Sequence, residues 1–211
     1  CLGRAAKSSA WIEWCCMTIY RVVLPFLIGV TMALNANLSA AGGMNSPRLA
    51  AFKNVVGFDE ALAKNKLHRD EFIDVDWTRV EVPSQLAGWK TGTRELQPIM
   101  EDGGRTFYWQ FERGDESMTI IVRIYPPGGI AAGQGFLEIA NATTTMAIPY
   151  IAGPRDLGAL SAIEQGQSNS VFWFDRNVCV EVTRSHTNVS HMEVAYWVQD
   201  RMRKHIAKTG H

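Results

Sequence analysis

The twelve residues "VFWFDRNVCVEV", from Val171 to Val182, constrain the fold of this chain more than any other stretch. Apolar residues lie on both sides of a polar break, Asp175-Arg176-Asn177. This pattern predicts two strands joined by a three-residue turn, with Asn177 in the left-handed conformation. Successive side chains of a strand point to opposite faces of a sheet, and the first strand is apolar on both. We therefore expect this strand to lie in the middle of a sheet.

A second β-hairpin is indicated by "RTFYWQFE" and "SMTIIVRIY", residues 105–112 and 117–125, which flank the turn sequence "RGDE". Apolar residues occupy alternate positions in both segments, a pattern typical of strands with one buried face. A hairpin with one apolar face has to be covered. The segment from Ile130 to Met146 has the apolar residues of a helix, weakened by two glycines, and we predict that it covers this hairpin.

Helices are predicted at both ends of the remaining chain. Pro47 to Asn65 has helical spacing interrupted at Gly57, with Asp59 as a cap for the second part. The last helix begins at Ser190, which has the spacing of a capping box with Glu193. An early strand is predicted within residues 72–83, and the Gly- and Pro-rich stretch 147–169 is expected to be irregular with one short helix.

These elements predict an α+β fold. We expect an antiparallel sheet of about five or six strands, built from the two hairpins plus the early strand, with helices mainly on one face. The order of a hairpin followed by a helix occurs twice, in residues 105–146 and 170–207, although residue identities do not repeat at a fixed period.

Residues 1–41 have the features of a secretory leader. Val22 to Leu34 is uncharged and spans roughly 20 Å as a helix, which is short of the ~30 Å hydrocarbon core of a membrane. Small residues follow it, and cleavage is expected after Ala41, with Ala36 and Ala40 as alternatives. We predict Met17 as the true start and the residues before it as an over-extended gene model. A signal anchor from Trp14 to Leu34 is the competing interpretation.

The remaining residues, 42–211, are expected to form a single globular domain. Loss of the leader removes three basic residues and one acidic residue from 21 of each, which leaves a formal charge of −2. This balance does not predict binding to nucleic acid. Cys179 becomes the only cysteine, so no intramolecular disulfide is possible, and a lone thiol in an exported protein is expected to be buried.

The sequence contains none of the common catalytic or metal-binding motifs that we sought, including the nucleophile elbow, the zinc-protease helix, the phosphate-binding loop and paired cysteines. His186 and His191 are separated by four residues across a loop and a helix start, a spacing that defines no common face. We predict no cofactor and no metal. Cys179 as a nucleophile, or the two histidines as a metal or catalytic pair, remains the alternative.

Aromatic residues on the two hairpins provide the candidate binding site. Tyr108, Tyr125, Phe172 and Trp173 are candidates for an uncovered aromatic face opposite the main helices, which would bind a protein partner or a small apolar ligand. The alternative, which we favour, is that the helices of residues 47–65 cover this face.

The stretch "VPSQLAGW", Val82 to Trp89, followed by a hydrophobic hairpin, resembles the beginning of exosortase-associated periplasmic domains. Those domains contain an H-S-P-x-x-C-L-P-G stretch that this chain lacks. Their catalytic role is therefore not carried over to any residue of this chain.

The sequence thus predicts an exported protein, periplasmic or extracellular, that acts as a non-catalytic binding or accessory module. Its contact with a membrane would be limited to the leader, if the leader is not cleaved. The alternatives are a small hydrolase or a thiol- or metal-dependent enzyme that uses Cys179 or His186 and His191, and a structural envelope protein whose sheet edge pairs with a neighbour.

Overall fold

The computed structural model describes residues 47–64, 71–96, 104–127, 129–142, 150–164 and 170–208. The expected leader and the predicted helical residues Asn65 and 143–146 lie outside these ranges. The helices and strands, in chain order, are α1 (Pro47–Val56), α2 (Phe58–Ala63), β1 (Glu71–Ile73), β2 (Lys90–Leu96), β3 (Arg105–Arg113), β4 (Glu116–Ile124), α3 (Gly129–Ala142), β5 (Tyr150–Ala152), β6 (Leu160–Glu164), β7 (Ser170–Asp175), β8 (Val178–Ser185), α4 (His191–Lys204) and β9 (Ile206–Lys208). None of the helices in these ranges has the length and hydropathy required to cross a membrane.

Seven of the strands form one antiparallel sheet in the order β2-β3-β4-β8-β7-β6-β5. This architecture confirms the predicted α+β fold with an antiparallel sheet, and the sheet is larger than the expected five or six strands. The additional strands are β2, whose sequence has no apolar alternation, and β5 and β6, which lie in the stretch that we expected to be irregular. Strand β7 is internal to the sheet, as expected for a strand that is apolar on both faces.

The early strand does not join this sheet. The strand here is limited to Glu71–Ile73, and it pairs with β9 in a separate two-stranded sheet. The chain then turns through two short 3₁₀ helices, Trp77–Arg79 and Ser84–Leu86. The Asp76 side chain accepts a hydrogen bond from the backbone N–H of Thr78, which caps the first of them and ends the extended segment.

Both predicted hairpins are present. Between β3 and β4, Gly114 takes the positive φ of 62° that the turn requires. Between β7 and β8, Asp175 pairs with Val178, so the loop has two residues, and Arg176, with φ 54°, is the left-handed residue. The prediction of a three-residue loop with a left-handed Asn177 was wrong.

Tertiary contacts explain this turn. The Arg176 side chain is buried between two carboxylates: Nε donates to Glu71 Oε2 at 2.6 Å, and Nη1 lies 2.9 Å from Asp175 Oδ2. The Asn177 amide is also buried, and it bonds the backbone of Ile73 and Tyr125. These contacts to distant segments hold Arg176 in a conformation that an isolated hairpin would give to glycine or asparagine.

Two apolar clusters cover opposite faces of the main sheet. Helix α4 covers the first face, where Val194, Val198 and Met202 pack among the valines of β8. Helices α1, α2 and α3 cover the second face over Phe172 and Phe174. Three of the four described helices therefore share one face, in agreement with the expected arrangement.

The cover of the first hairpin differs from our expectation. Its buried side chains Phe107, Trp109 and Phe111 belong to the first face, whereas α3 packs on the second face over β7 and β8. Tyr125, the residue after β4, already packs in the second cluster, so the chain leaves the strand on that side. The hairpin is instead covered by Trp77, Leu86 and Trp89 from the segment before β2, and by α4.

Of the two helix caps predicted from the sequence, Ser190 is confirmed and Asp59 is not. Ser190 is the N-cap of α4, and its side chain accepts a hydrogen bond from the backbone N–H of Glu193 at 3.3 Å, as the capping-box spacing predicts. At α2, the cap is Gly57 with φ 70° and no side-chain bond, and Asp59 lies in the first turn. The prediction that Asp59 is the cap was wrong.

Candidate functional site

The four candidate aromatic residues do not meet on one exposed surface. Phe172 and Trp173 are neighbours in β7, so they point to opposite faces of the sheet, and both are completely buried. Phe52 of α1 stacks on Phe172 with 5.8 Å between ring centroids, which is the helical cover that we favoured. The indole N–H of Trp173 donates to Gln199 Oε1 at 2.7 Å, and this hydrogen bond is buried inside the protein.

Tyr125 is also buried, and its hydroxyl lies against the Cα of Gly135, where no side chain would fit. Tyr108 is different. It is half-buried on the second face of the sheet, and its hydroxyl donates to Gln110 Oε1 at 3.3 Å. Among the four candidates, only Tyr108 presents part of its side chain at the surface.

Cys179 lies in β8 with its side chain in the second apolar cluster. Burial raises the pKa of its thiol to about 12, against a smaller opposing effect of the Arg123 charge. A thiol with this pKa is protonated at neutral pH, and the thiolate is the reactive species. The burial expected from the sequence is confirmed, and the same burial opposes a nucleophilic role.

The two candidate histidines have contrasting environments. His186 is exposed with φ 54°, whereas His191 is buried at the first position of α4. Neither ring nitrogen of His191 has a hydrogen-bond partner in the described ranges. Desolvation, and secondarily the charge of Arg184, lowers the pKa of His191. Within the described residues, no three metal-ligating side chains come together in a group that could hold a metal ion.

The second face of the sheet has a polar region that sequence analysis did not identify. It extends across β3, β4, β8, β7 and β6 beside the part covered by the helices. We call this region the polar face, and its members are Thr106, Tyr108, Gln110, Thr119, Arg123, Glu164, Ser170, Glu181 and Thr183.

One row of the polar face runs across five strands by direct cross-strand pairing of Gln110, Thr119, Thr183, Ser170 and Glu164. The hydroxyl oxygens of Ser170 and Thr183 are 2.8 Å apart, within hydrogen-bond distance. Glu164 is 4% exposed. Burial raises the pKa of the Glu164 carboxyl, a hydrogen bond from Ser170 opposes this effect, and the charge of Glu181 raises the pKa further.

A second row contains two polar groups without partners. Thr106 pairs with Arg123, which pairs with Cys179. Thr106 is 5% exposed, and its hydroxyl has no hydrogen-bond partner among the described residues. Nη1 of Arg123 is likewise buried without a hydrogen bond there, and Glu181 Oε2 lies 3.7 Å from it, beyond hydrogen-bond range.

The charges of Glu181 and Glu138 both act on Cys179, the cross-strand partner of Arg123. Glu181 forms the long ion pair, and Glu138 of α3 lies close enough for its charge to raise the pKa of Cys179. Glu181 is the cross-strand partner of both Ile121 and Phe172, so charged and apolar groups meet at this point. A polar cluster beside an apolar one, with hydrogen-bonding capacity left over, has the features of a ligand site.

Sequence reasoning missed these residues because their proximity depends on strand register. Thr106, Arg123 and Glu181 alternate with apolar residues along their strands, which predicts the face on which each lies but not which side chains meet. Cross-strand pairing between β4 and β8, more than fifty residues apart in the chain, then brings them together.

The chain was also compared with known proteins. No protein-family model, no curated protein and no solved structure matches it.

Proposed function

We propose that this protein is exported from the cytosol and acts as a non-catalytic binding or accessory module that contacts its ligand through the polar face. Export is supported by the uncharged segment Val22 to Leu34, followed by small residues up to Ala41. The observation that carries the binding role is the pair of unpartnered donors on Thr106 and Arg123. Buried polar groups are almost always hydrogen-bonded, and a ligand would supply the missing acceptor.

A non-catalytic role is supported by the environments of the groups on which the competing enzyme depends. The Cys179 thiol is buried and has a raised pKa. His191 is buried and neutral near pH 7 because its pKa is lowered, while His186 is exposed in the preceding loop. A nucleophile requires a base within hydrogen-bond reach, and no hydrogen bond links Cys179 to a histidine in the described ranges.

Export is tested by fractionating the source cells and sequencing the N-terminus of the recovered protein. We expect the protein outside the cytosol with Gly42 as its first residue. Recovery from the cytosol with residues 22–34 still attached would contradict the proposal.

Binding is tested by a thermal-shift screen of small metabolites against the mature protein and the double variant Arg123→Gln/Glu181→Gln. The matched control is Arg113→Gln/Glu116→Gln, which removes another Arg–Glu pair, with 2.7 Å between Nε and Oε2, on the opposite face of the sheet. We expect ligands that raise the Tm of the mature protein and of the control but not of the Arg123 variant. Equal shifts in all three proteins would place binding elsewhere.

A further inference from the structure

We propose that the polar face binds a small zwitterion of the α-amino-acid type, with its carboxylate at Arg123 and Thr106 and its ammonium group at Glu181. This inference rests on the proposed function, because it assigns the class of ligand to the same face. The supporting observation is that Thr106 and Arg123, whose donors have no partner in the described ranges, lie on adjacent strands, and that the strand of Arg123 also neighbours the strand that holds Glu181.

The donors define the position of the ligand's carboxylate. Arg123 Nη1 and Thr106 Oγ1 have no hydrogen-bond partner in the described part of the chain, and their residues are direct cross-strand partners on one face. A guanidinium and a neighbouring hydroxyl can together bond the two oxygens of a carboxylate. Thr106 is nine-tenths buried, so a hydroxyl without a hydrogen-bond partner destabilises the free protein. A bound ligand that accepts a hydrogen bond from it would remove this penalty.

The acceptors define the position of the ammonium group. Glu181 Oε2 is 3.7 Å from Arg123 Nη1 and does not hydrogen-bond with it. This spacing is comparable to the separation of the charged groups in an α-amino acid, so one small molecule can span both side chains. Glu164 lies on the same face, close enough for the charge of Glu181 to raise the pKa of its carboxyl.

Ligands with a single charge fit less well. A simple carboxylate would bond Arg123 but would also approach the negative charge of Glu181. A simple ammonium ion would bond Glu181 and leave the donors of Thr106 and Arg123 unsatisfied. Only a molecule with both groups satisfies the two sets of side chains.

The surroundings of Glu181 indicate which amino acids fit. Its cross-strand partner on β4 is Ile121, which is half-buried and in turn pairs with Tyr108. An apolar side chain on the ligand would pack against these two residues and remove their exposed apolar area from water. We therefore expect neutral amino acids with apolar side chains to bind more tightly than glycine.

The experiment uses isothermal titration calorimetry on the mature protein with L-leucine, L-phenylalanine and glycine. Two fragments of leucine test the charges separately: 4-methylpentanoate lacks the amino group, and 3-methylbutylamine lacks the carboxylate. We expect leucine or phenylalanine to bind, and both fragments to bind at least about ten-fold more weakly than leucine, since each loses one charged contact.

Two substitutions place the ligand. Thr106→Val and Glu181→Gln should each weaken leucine binding about ten-fold, because each removes one hydrogen bond to a charged group. The exposed controls Thr91→Val and Glu81→Gln should leave the Kd unchanged. Thr106→Val should not lower the Tm of the free protein, because the hydroxyl that it removes has no partner. The loss of affinity is thereby separated from a loss of folding.

Three results would overturn this inference: no binding by any of the three amino acids, equal affinity for leucine and either fragment, or unchanged affinity in Thr106→Val. If the metabolite screen nevertheless finds a ligand that depends on Arg123, the proposed binding function stands and the ligand class is wrong. If the screen finds no such ligand, the proposed function fails as well.

Discussion

Substitution of Asn177 by alanine should destabilise the protein far more than the loss of a turn residue ordinarily does. The side chain of Asn177 is 1% exposed and makes three hydrogen bonds to backbone groups of other segments. Oδ1 accepts from the N–H of Ile73 at 2.9 Å, and Nδ2 donates to the carbonyl oxygens of Ile73 and Tyr125, each at 3.0 Å. The amide therefore joins the β7–β8 turn to strand β1 and to the end of β4.

The magnitude follows from what alanine leaves behind. Each hydrogen bond contributes about 1 kcal/mol net, and each buried group left without a partner costs about 1–3 kcal/mol. If water enters and hydrogen-bonds the exposed backbone groups, the loss of three bonds lowers the free energy of unfolding by about 3 kcal/mol. If those groups stay without a partner, the loss is larger. We expect a decrease of about 4 kcal/mol in the free energy of unfolding, a large part of the total of about 5–15 kcal/mol for a domain.

The assay is urea denaturation of the mature protein, followed by tryptophan fluorescence and far-UV circular dichroism. Asn188→Ala is the matched control, since Asn188 is exposed in the loop before α4, and its substitution should change the free energy of unfolding by less than about 0.5 kcal/mol. Asn177→Asp keeps the acceptor but sets a charge against two carbonyl oxygens, so it should be at least as destabilising as alanine. A loss below about 1 kcal/mol for Asn177→Ala would refute the assignment of this side chain as a structural link.

Three further outcomes are expected. Iodoacetamide should label Cys179 only in denaturant, because the thiol is buried with a pKa raised to about 12; rapid labelling of the native protein at pH 7 would support the competing thiol enzyme. Because the pKa of His191 is lowered in the folded protein, the unfolded chain binds a proton at this residue at a higher pH than the folded chain does. Urea midpoints should therefore fall as the pH drops below about 6.5, and His191→Leu should flatten this dependence. Gly158→Ala should lower the Tm more than Gly88→Ala. Both glycines have positive φ, but only at Gly158 would the added Cβ overlap the Phe174 carbonyl. Equal decreases in Tm would contradict the close approach of the Phe174 carbonyl to Gly158.

The parts of the fold that local patterns specify were predictable. Alternation in β3 and β4 placed Phe107, Trp109 and Phe111 on one face, because the geometry of a strand fixes which side chains share a side. The apolar character of β7 on both sides correctly placed it inside the sheet. The spacing of Ser190 and Glu193 located the start of α4, since capping depends on residues within one turn.

The parts that depend on distant partners were not predictable. The β7–β8 turn has its left-handed residue at Arg176 because Glu71, about a hundred residues earlier, pairs with that side chain. Strand β1 lies outside the main sheet because it pairs with β9 at the other end of the chain. No local signal in either segment indicates these partners, and a prediction from turn propensities alone assigns the wrong residue.

The position of the polar face follows from strand parity together with the path of the chain. Residues Thr106, Arg123 and Glu181 lie on the face opposite the apolar alternation of β3, β4 and β8, so they share the second face. Because Tyr125 leads the chain onto this same face, α3 packs there over β7 and β8, next to the polar side chains. Half-buried charges thus lie beside the part of this face that the helices and the apolar cluster cover. In this setting their interactions are stronger than at an open surface, and an unmatched donor costs more. A protein held together by two separate apolar clusters does not need these polar groups for its core, which is the physical reason for assigning them to a ligand.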